Sequence, residues 1–346
     1  MHDVVGAAKS WCWLNEEWLK GSHVDSTVGI AGRRAVAHSR QFRFGVELLE
    51  PFEGMSWSES ARRLEDLGYS TLFVADHFNE GYGPLTAMAV ATAATTTLKV
   101  ASAVFAPDFR HPAVLARELA SIDQFSSGRL EVGIGAGYMV EDFVASGIKM
   151  DPPGVRVDRM MEYVTVLRGL FGEGPFTFKG THYNISALEG TPAPFTPGGP
   201  PILIAGGGKR LLTFAATHAE IIGVNVSLPS SEARVAAARD GVPSSIDEKL
   251  SWIREAAGDR FEEIELHAWV RFVHVTNDSA SIVGELSGYL NADEEDVRSS
   301  PMVLVGDVEE IIERVHARRE RWGYSYFTIQ QPVALEFAEV VARLAN

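Results

Sequence analysis

The sequence predicts an α/β fold, a (β/α)8 TIM barrel formed by residues 42–346 as a single domain. Short apolar segments rich in Val, Ile and Phe alternate with segments whose apolar residues recur at helical spacing. Repeated strand–helix units over about 300 residues suit this barrel, which typically takes about 250 residues plus insertions. A doubly wound parallel sheet is the alternative, because both folds share this alternation.

The predicted strands are short apolar runs rich in Val, Ile and Phe, as expected for parallel strands that are buried on both faces. In chain order they are Phe42–Leu48, Thr71–Ala75, Lys99–Val104, Leu130–Gly135, Pro201–Ala205, Glu220–Val226, Ile264–Val275 and Ser325–Gln330. Two insertions interrupt the pattern, a hairpin at Phe176–Ile185 and a polar loop or short helix at Leu228–Pro243. Loops of this kind shape the mouths of barrels.

Several predicted helices carry capping signals at their ends. Ser56 with Glu59, and Asp307 with Glu310, have the spacing of a capping box, and Gly323 follows the second helix. These signals place helix boundaries independently of the apolar pattern.

Composition excludes several classes of protein. The net charge of −15 and the absence of any segment dense in Lys and Arg argue against a nucleic-acid partner. The single cysteine, Cys12, cannot form an internal disulfide, and no apolar run reaches about 18 residues, so no membrane span is predicted. We expect a cytoplasmic protein.

Residues 1–41 differ from the rest of the chain. They contain three of the seven tryptophans, Trp11, Trp13 and Trp18, and they lack the pattern of a signal peptide. We expect an N-terminal extension that is disordered and accessory to the fold. The functional alternative is a capping helix at the bottom of the barrel or a segment that docks a partner.

Asp76 and His77 directly follow the second predicted strand. TIM-barrel enzymes place catalytic groups at the carboxyl ends of strands, and an imidazole can transfer protons near neutral pH. The pair is therefore a candidate catalytic site. A capped turn beside a structural histidine is the equally weighted alternative.

Two further segments at strand ends suit a flat ligand. The glycines of Gly133–Gly137, among them Gly135 and Gly137, let a ligand approach the backbone, and Tyr138 follows them. After the third strand, Ala103 and Val104 are small enough to leave room for a planar ring. Tight packing at the rim explains the glycine segment equally well, and a plain exit from the strand is the favoured interpretation of Ala103-Val104 on this segment alone.

Gly206, Gly207 and Gly208 open a helix after a buried strand. Free backbone N–H groups and the helix dipole favour an anion there, and Lys209 and Arg210 add positive charge. We interpret this turn as a phosphate cradle, with a plain glycine turn as the alternative. The histidines have no metal-ligand spacing and no Gly-x-Ser-x-Gly motif occurs, so neither a metal site nor a serine hydrolase is predicted.

Taken in order, these segments make residues 42–345 resemble the luciferase-like monooxygenase superfamily, especially its branch that depends on the deazaflavin coenzyme F-420. The segments that carry the resemblance are Leu67–Tyr69, Val74–Phe78, Ser102–Pro107, Arg110–Ala113, Ser127–Leu130, Gly133–Gly137, Phe176–Ile185 and Ile202–Gly208. No single motif is specific, whereas the ordered set is.

The resemblance implies cofactor phosphate on Gly206–Gly208, a non-proline cis peptide behind the ring near Ala103-Val104, and an active-site Asp76-His77 pair. The sugar-phosphate dehydrogenase branch carries a catalytic glutamate where this chain has Tyr138, which argues against that substrate. The resemblance also implies a homodimer, a small-molecule substrate and a separate reductase that supplies reduced cofactor.

The leading functional hypothesis is hydride transfer between coenzyme F-420 and a small organic substrate. In it His77 relays a proton, Asp76 orients His77, and Gly206–Gly208 anchor phosphate. The alternatives are an FMN-dependent monooxygenase that uses reduced flavin and dioxygen, and a flavin-binding protein without catalysis.

Overall fold

The computed structural model describes residues 40–227 and 240–345. Within them the strands are β1 (Arg43–Glu47), β2 (Thr71–Val74), β3 (Lys99–Ser102), β4 (Leu130–Ile134), β5 (Pro175–Lys179), β6 (Asn184–Glu189), β7 (Ile202–Gly206), β8 (Ile221–Val224), β9 (Glu265–Trp269), β10 (Phe272–Val275), β11 (Val303–Gly306) and β12 (Tyr324–Gln330). The helices are α1 (Trp57–Asp66), α2 (Pro84–Ala94), α3 (Pro112–Ser126), α4 (Val140–Ser146), α5 (Pro153–Phe171), α6 (Lys209–His218), α7 (Pro243–Ala257), α8 (Ser279–Leu290), α9 (Glu294–Ser299), α10 (Val308–Trp322) and α11 (Ala338–Leu344). Short 3₁₀ turns cover Gly258–Glu263 and Gln331–Val333.

Eight parallel strands close into a barrel in the order β1-β12-β9-β8-β7-β4-β3-β2. Closure comes from β1, which pairs with β12 on one side and with β2 on the other. The predicted TIM barrel is confirmed, and the doubly wound sheet is excluded because that sheet has open edges. Since all eight strands run the same way, their carboxyl ends meet at one mouth.

Large side chains fill the inside of the barrel. Phe73, His267 and Tyr326 pack against one another there, with ring centroids 4.9 to 5.8 Å apart. At the amino-terminal end of the strands, the guanidinium of Arg43 contacts the carboxylates of Glu131 and Glu265, each at 2.6 Å. The barrel is therefore a packed core, and any ligand must bind at its mouth.

Both predicted capping boxes form. Ser56 and Glu59 exchange side-chain and backbone hydrogen bonds at the start of α1, and Asp307 and Glu310 do so at the start of α10. Gly323 has a φ of 90° at the end of α10, a backbone conformation that favours glycine.

One predicted strand, Ile264–Val275, is wrong in its length. The chain leaves the barrel after β9, and β10 pairs instead with β11 in a separate two-stranded parallel sheet. The sequence conceals this break, because both strands are rich in apolar residues and only pairing separates them. The predicted hairpin is confirmed as the antiparallel pair β5–β6.

The predictions for residues 1–39 and 228–239 lie outside the described residues. Arg40 and Gln41, which are described, donate hydrogen bonds to the carbonyls of Glu263 and Ala345. No helix in the described ranges has the length and apolarity that a membrane span requires.

Candidate active site

A cavity of about 380 Å³ opens at the carboxyl ends of the barrel strands. Every site residue predicted from the sequence lines it, namely Asp76, His77, Ala103, Val104, Gly135, Gly137, Tyr138, Gly206, Gly207 and Gly208. They come from four different strand ends, as is usual for barrel enzymes. The barrel thus brings together groups that are up to 132 positions apart in the chain, from Asp76 to Gly208.

His77 is held by Asp142, which lies in α4. The His77 Nδ1 atom lies 2.6 Å from Asp142 Oδ2, and the other carboxylate oxygen accepts a hydrogen bond from the backbone N–H of Phe78. Burial opposes the imidazolium, but the hydrogen bond and charge of Asp142 outweigh it and raise the pKa of His77. The Nδ1 bond leaves Nε2 as the ring atom that can exchange a proton with a ligand.

The expectation that Asp76 orients His77 is wrong. Asp76 Oδ2 instead accepts a hydrogen bond of 2.6 Å from Arg110 Nη1, and the Asp76 side chain is nearly buried. Adjacent residues at a strand end point in different directions, so one chain neighbour rarely orients the next. Arg110, from the loop before α3, therefore holds Asp76, while Asp142 holds His77.

Glu47 ends β1 and lies on the cavity wall. The residue is 3% exposed, and its Oε2 atom has no hydrogen-bond partner in the described part of the chain. Burial raises the pKa of Glu47 to about 7, although the charges of Arg271 and His77 oppose that shift. A carboxyl group with this pKa is available near neutral pH as either an acid or a base.

Further polar groups surround Glu47 and His77. Burial raises the pKa of Glu80, whose carboxylate also faces the charge of Asp142. Trp269 also lines the cavity, and its buried Nε1–H donor has no hydrogen-bond partner among the described residues. Tyr138 meets His77 edge to face at 6.1 Å, and burial raises the pKa of its phenol. Tyr138 is therefore a neutral neighbour of His77.

The floor of the cavity is shaped by small residues around Ala103-Val104, a peptide bond that is cis. A Cβ atom built on Gly133 would lie 2.0 Å from the carbonyl oxygen of Ser102, and one on Gly135 would lie 2.6 Å from the Val104 side chain. These two positions admit only glycine, because β4 passes directly under the cis peptide. The expected cis peptide is confirmed.

The opposite end of the cavity is the turn Gly206–Gly208, at the start of α6. Gly208 is the N-cap residue and makes no side-chain capping bond, so the first N–H groups of the helix have no intrahelical acceptor. Arg210 lines the cavity and pairs with Asp158. Lys209 does not line it, contrary to expectation, and its ammonium lies 5.6 Å from the ring centroid of Trp252.

The family model for luciferase-like monooxygenases matches residues 51–291. The chain belongs to this family. Its members are oxidoreductases, so the prediction of an oxidoreductase is confirmed at the level of the family. The matched residues include the carboxyl ends of the barrel strands from β2 to β9, and these ends contribute most of the residues that line the cavity.

Two curated relatives show how widely this family varies. The chain is 30% identical over 189 residues to the 5,10-methylenetetrahydromethanopterin reductase of Archaeoglobus fulgidus, which is 54% of either chain. It is 31% identical over 156 residues to the FMNH(2)-dependent dimethylsulfone monooxygenase of Pseudomonas fluorescens, which is 43% of this chain and 42% of that protein. The chain thus aligns with about half of each relative.

A solved structure has the same fold as this chain. The coenzyme F-420 dependent tetrahydromethanopterin reductase from Methanopyrus kandleri superimposes with a TM-score of 0.70 at 17% identity. The match covers 88% of this chain and 98% of that one. At this identity the likeness concerns the barrel and not the reaction.

Sequence reasoning missed Glu47, Asp142 and Trp269. Glu47 had a signal, because it is a lone carboxylate at the end of an apolar strand. Asp142 had none, because it lies in α4, 65 positions from His77 in the chain, and no motif links the two. Trp269 was concealed within the overlong strand.

Proposed function

We propose that this luciferase-like enzyme binds the deazaflavin coenzyme F-420 and moves hydride between it and a small organic substrate. The substrate is either an unsaturated or imine-like compound, which is reduced, or an alcohol, which is oxidised to a carbonyl compound. The observation that carries the proposal is the shared cavity, in which the His77–Asp142 pair and the Glu47 carboxyl face the Gly206–Gly208 turn.

The residues present suit a flat cofactor with a phosphate. At the Gly206–Gly208 turn, the uncapped start of α6 offers N–H donors to the phosphate. Gly135 keeps the floor beside Val104 free of side chains, which leaves a flat surface for a ring. Bound there, the deazaflavin would supply the hydride donor or acceptor.

The chain's own residues supply the proton that must accompany the hydride. When the substrate is reduced, the atom next to the one that takes the hydride gains a proton, and the Nε2–H of His77 or the protonated carboxyl of Glu47 can provide it. The carboxylate of Asp142 stabilises the imidazolium before transfer and keeps Nδ1 as the donor to its own oxygen. When an alcohol is oxidised, the same groups accept the proton.

Two observations bear on the choice of cofactor. Relatives named for F-420 and for FMN are similarly identical to this chain, and the resemblance of the ordered motifs favours the F-420 branch. A deazaflavin has carbon where the reactive nitrogen of a flavin lies, so it favours hydride transfer over reaction with oxygen. We propose that a separate reductase supplies the reduced cofactor.

The deciding experiment titrates the purified protein with coenzyme F-420 and with FMN, in both redox states, without oxygen, and follows cofactor fluorescence. We expect at least about tenfold tighter binding of F-420, or roughly 1.4 kcal/mol. A panel of imines, enones and alcohols is then screened for oxidation or reduction of the bound cofactor. Binding of FMN alone, with turnover only in the presence of oxygen, would establish a monooxygenase instead.

The glycine turn allows a direct test of phosphate binding. A Cβ atom at Gly207 would lie 2.4 Å from the backbone nitrogen of Ser227, whereas at Gly208 the nearest atom, Ser227 Oγ, is 4.0 Å away. We expect Gly207→Ala to displace the segment that faces the turn and to weaken cofactor binding at least about tenfold. Gly208→Ala is the matched control and should change the affinity little. Equal affinities for both variants would place the phosphate elsewhere.

A further inference from the structure

A second groove, of about 270 Å³, lies between α9 and the C-terminal half of α10. The groove is formed by helices outside the barrel, and it shares no lining residue with the active-site cavity. Four arginines line it, Arg298, Arg314, Arg318 and Arg321. We call it the arginine groove. Such a concentration of cations is unexpected in a chain with a net charge of −15.

Helical spacing brings three of these arginines together. Arg314, Arg318 and Arg321 are four and three positions apart, so they share one face of α10. That face packs on the end of α9, where Arg318 Nη2 donates to the carbonyl of Ser300 at 2.6 Å and Arg314 Nη1 donates to that of Arg298 at 3.3 Å. The side chains are thus held in place without any ligand.

Only two of the four arginines form ion pairs with carboxylates of the described residues. Arg298 lies 3.5 Å from Glu294, and Arg321 lies 2.7 Å from Asp247. Within residues 40–227 and 240–345, neither Arg314 nor Arg318 has a carboxylate at ion-pair distance. One carboxylate, that of Glu295, lines the groove, and its Oε1 already accepts a hydrogen bond from Ser299 Oγ.

Arg318 is the most deeply buried of the four arginines. It is 3% exposed, and its Nε donor has no partner in the described part of the chain. Burial, together with the charge of Arg314, lowers the pKa of Arg318 to about 9. Burying a cation without a counter-charge is costly, so an anion in the groove would stabilise both arginines.

We propose that the arginine groove binds a small oxyanion of the phosphate class, either inorganic phosphate or a phosphomonoester. Guanidinium groups present paired N–H donors that match the oxygens of a phosphate. The volume of the groove admits a phosphate with a small organic group attached. This site is separate from the glycine turn, because the two cavities have no lining residue in common.

The test is a calorimetric titration of the full-length protein with inorganic phosphate. The Arg314→Gln variant removes a part-buried cation that holds no carboxylate, and we expect it to weaken one phosphate site at least about tenfold. The control, Arg117→Gln, makes the same charge change on an exposed position of α3 and should bind as the wild type does. The glycine turn is intact in both variants, so the difference isolates the groove.

Two results would contradict phosphate binding in the arginine groove. Identical phosphate isotherms for wild type and Arg314→Gln would overturn the proposal, as would an equal loss in Arg117→Gln. Arg318→Met should act like Arg314→Gln if it folds, and a failure to fold leaves the Arg314→Gln result decisive. Tighter binding of glycerol phosphate than of inorganic phosphate would identify a phosphomonoester as the ligand, and the reverse order would identify the free ion.

Discussion

Replacing His77 with alanine is expected to slow turnover by about a hundredfold or more, the usual scale for general acid–base catalysis. His77 lines the cavity, and its Nε2 atom is left to exchange a proton because Nδ1 is bound to Asp142. Turnover is measured without oxygen on the best substrate from the screen, by the absorbance of the cofactor. Cofactor affinity should change less, since we propose that the phosphate binds at the glycine turn and not at His77.

Asp142→Asn separates orientation from chemistry. The charge of Asp142 helps to raise the pKa of His77, so its removal should lower that pKa. If the imidazolium is the acid, turnover falls as pH rises through the pKa of His77, and in Asp142→Asn this fall should move to lower pH. His182→Ala, on the β5–β6 hairpin, is the control and should leave the profile unchanged. Equal rates for wild type and His77→Ala would exclude His77 from the reaction.

Glu47→Gln is expected to have opposite effects on activity and stability. Glutamine keeps the shape of the side chain but cannot transfer a proton, so turnover should fall by about a hundredfold. If Glu47 titrates during the reaction, the wild-type pH profile of turnover has an inflection near pH 7. That inflection should be absent from the profile of Glu47→Gln. The exposed Glu50→Gln, three residues along the chain, is the matched control.

The stability prediction follows from the raised pKa. Because the pKa of Glu47 rises on folding from 4.5 to about 7, the folded state loses stability as pH rises across that window. Above pH 7 this loss amounts to at most about 3 kcal/mol. Glu47→Gln should therefore raise the free energy of unfolding at pH 8 and change it little at pH 4, as measured by chemical denaturation. A variant that is destabilised at pH 8 would show that the Glu47 carboxylate is stabilised in the folded protein.

Much of the site was accessible from the sequence, for a local reason. Asp76, His77 and Gly206–Gly208 directly follow buried strands, and in a barrel all such positions meet at one mouth. A pattern of strands and helices therefore predicts which residues gather there, without any knowledge of their contacts. It does not predict their partners, and the assignment of Asp76 to His77 failed on that point.

What the sequence determined by itself is the alternation of strands and helices, the capping of α1 and α10, and the segments Asp76-His77 and Gly206–Gly208 at the mouth, because apolar periodicity and short capping motifs act over a few neighbouring positions. Closure of the sheet into a barrel was decided by the pairing of β1 with both β12 and β2. Only the tertiary structure decided that β10 leaves the barrel, that Asp142 holds His77, that Glu47 is buried without a partner, and that arginines from α9 and α10 converge. Each of these depends on burial and charge contributed by segments far away in the chain, and the free energy of such contacts has no signature in local sequence.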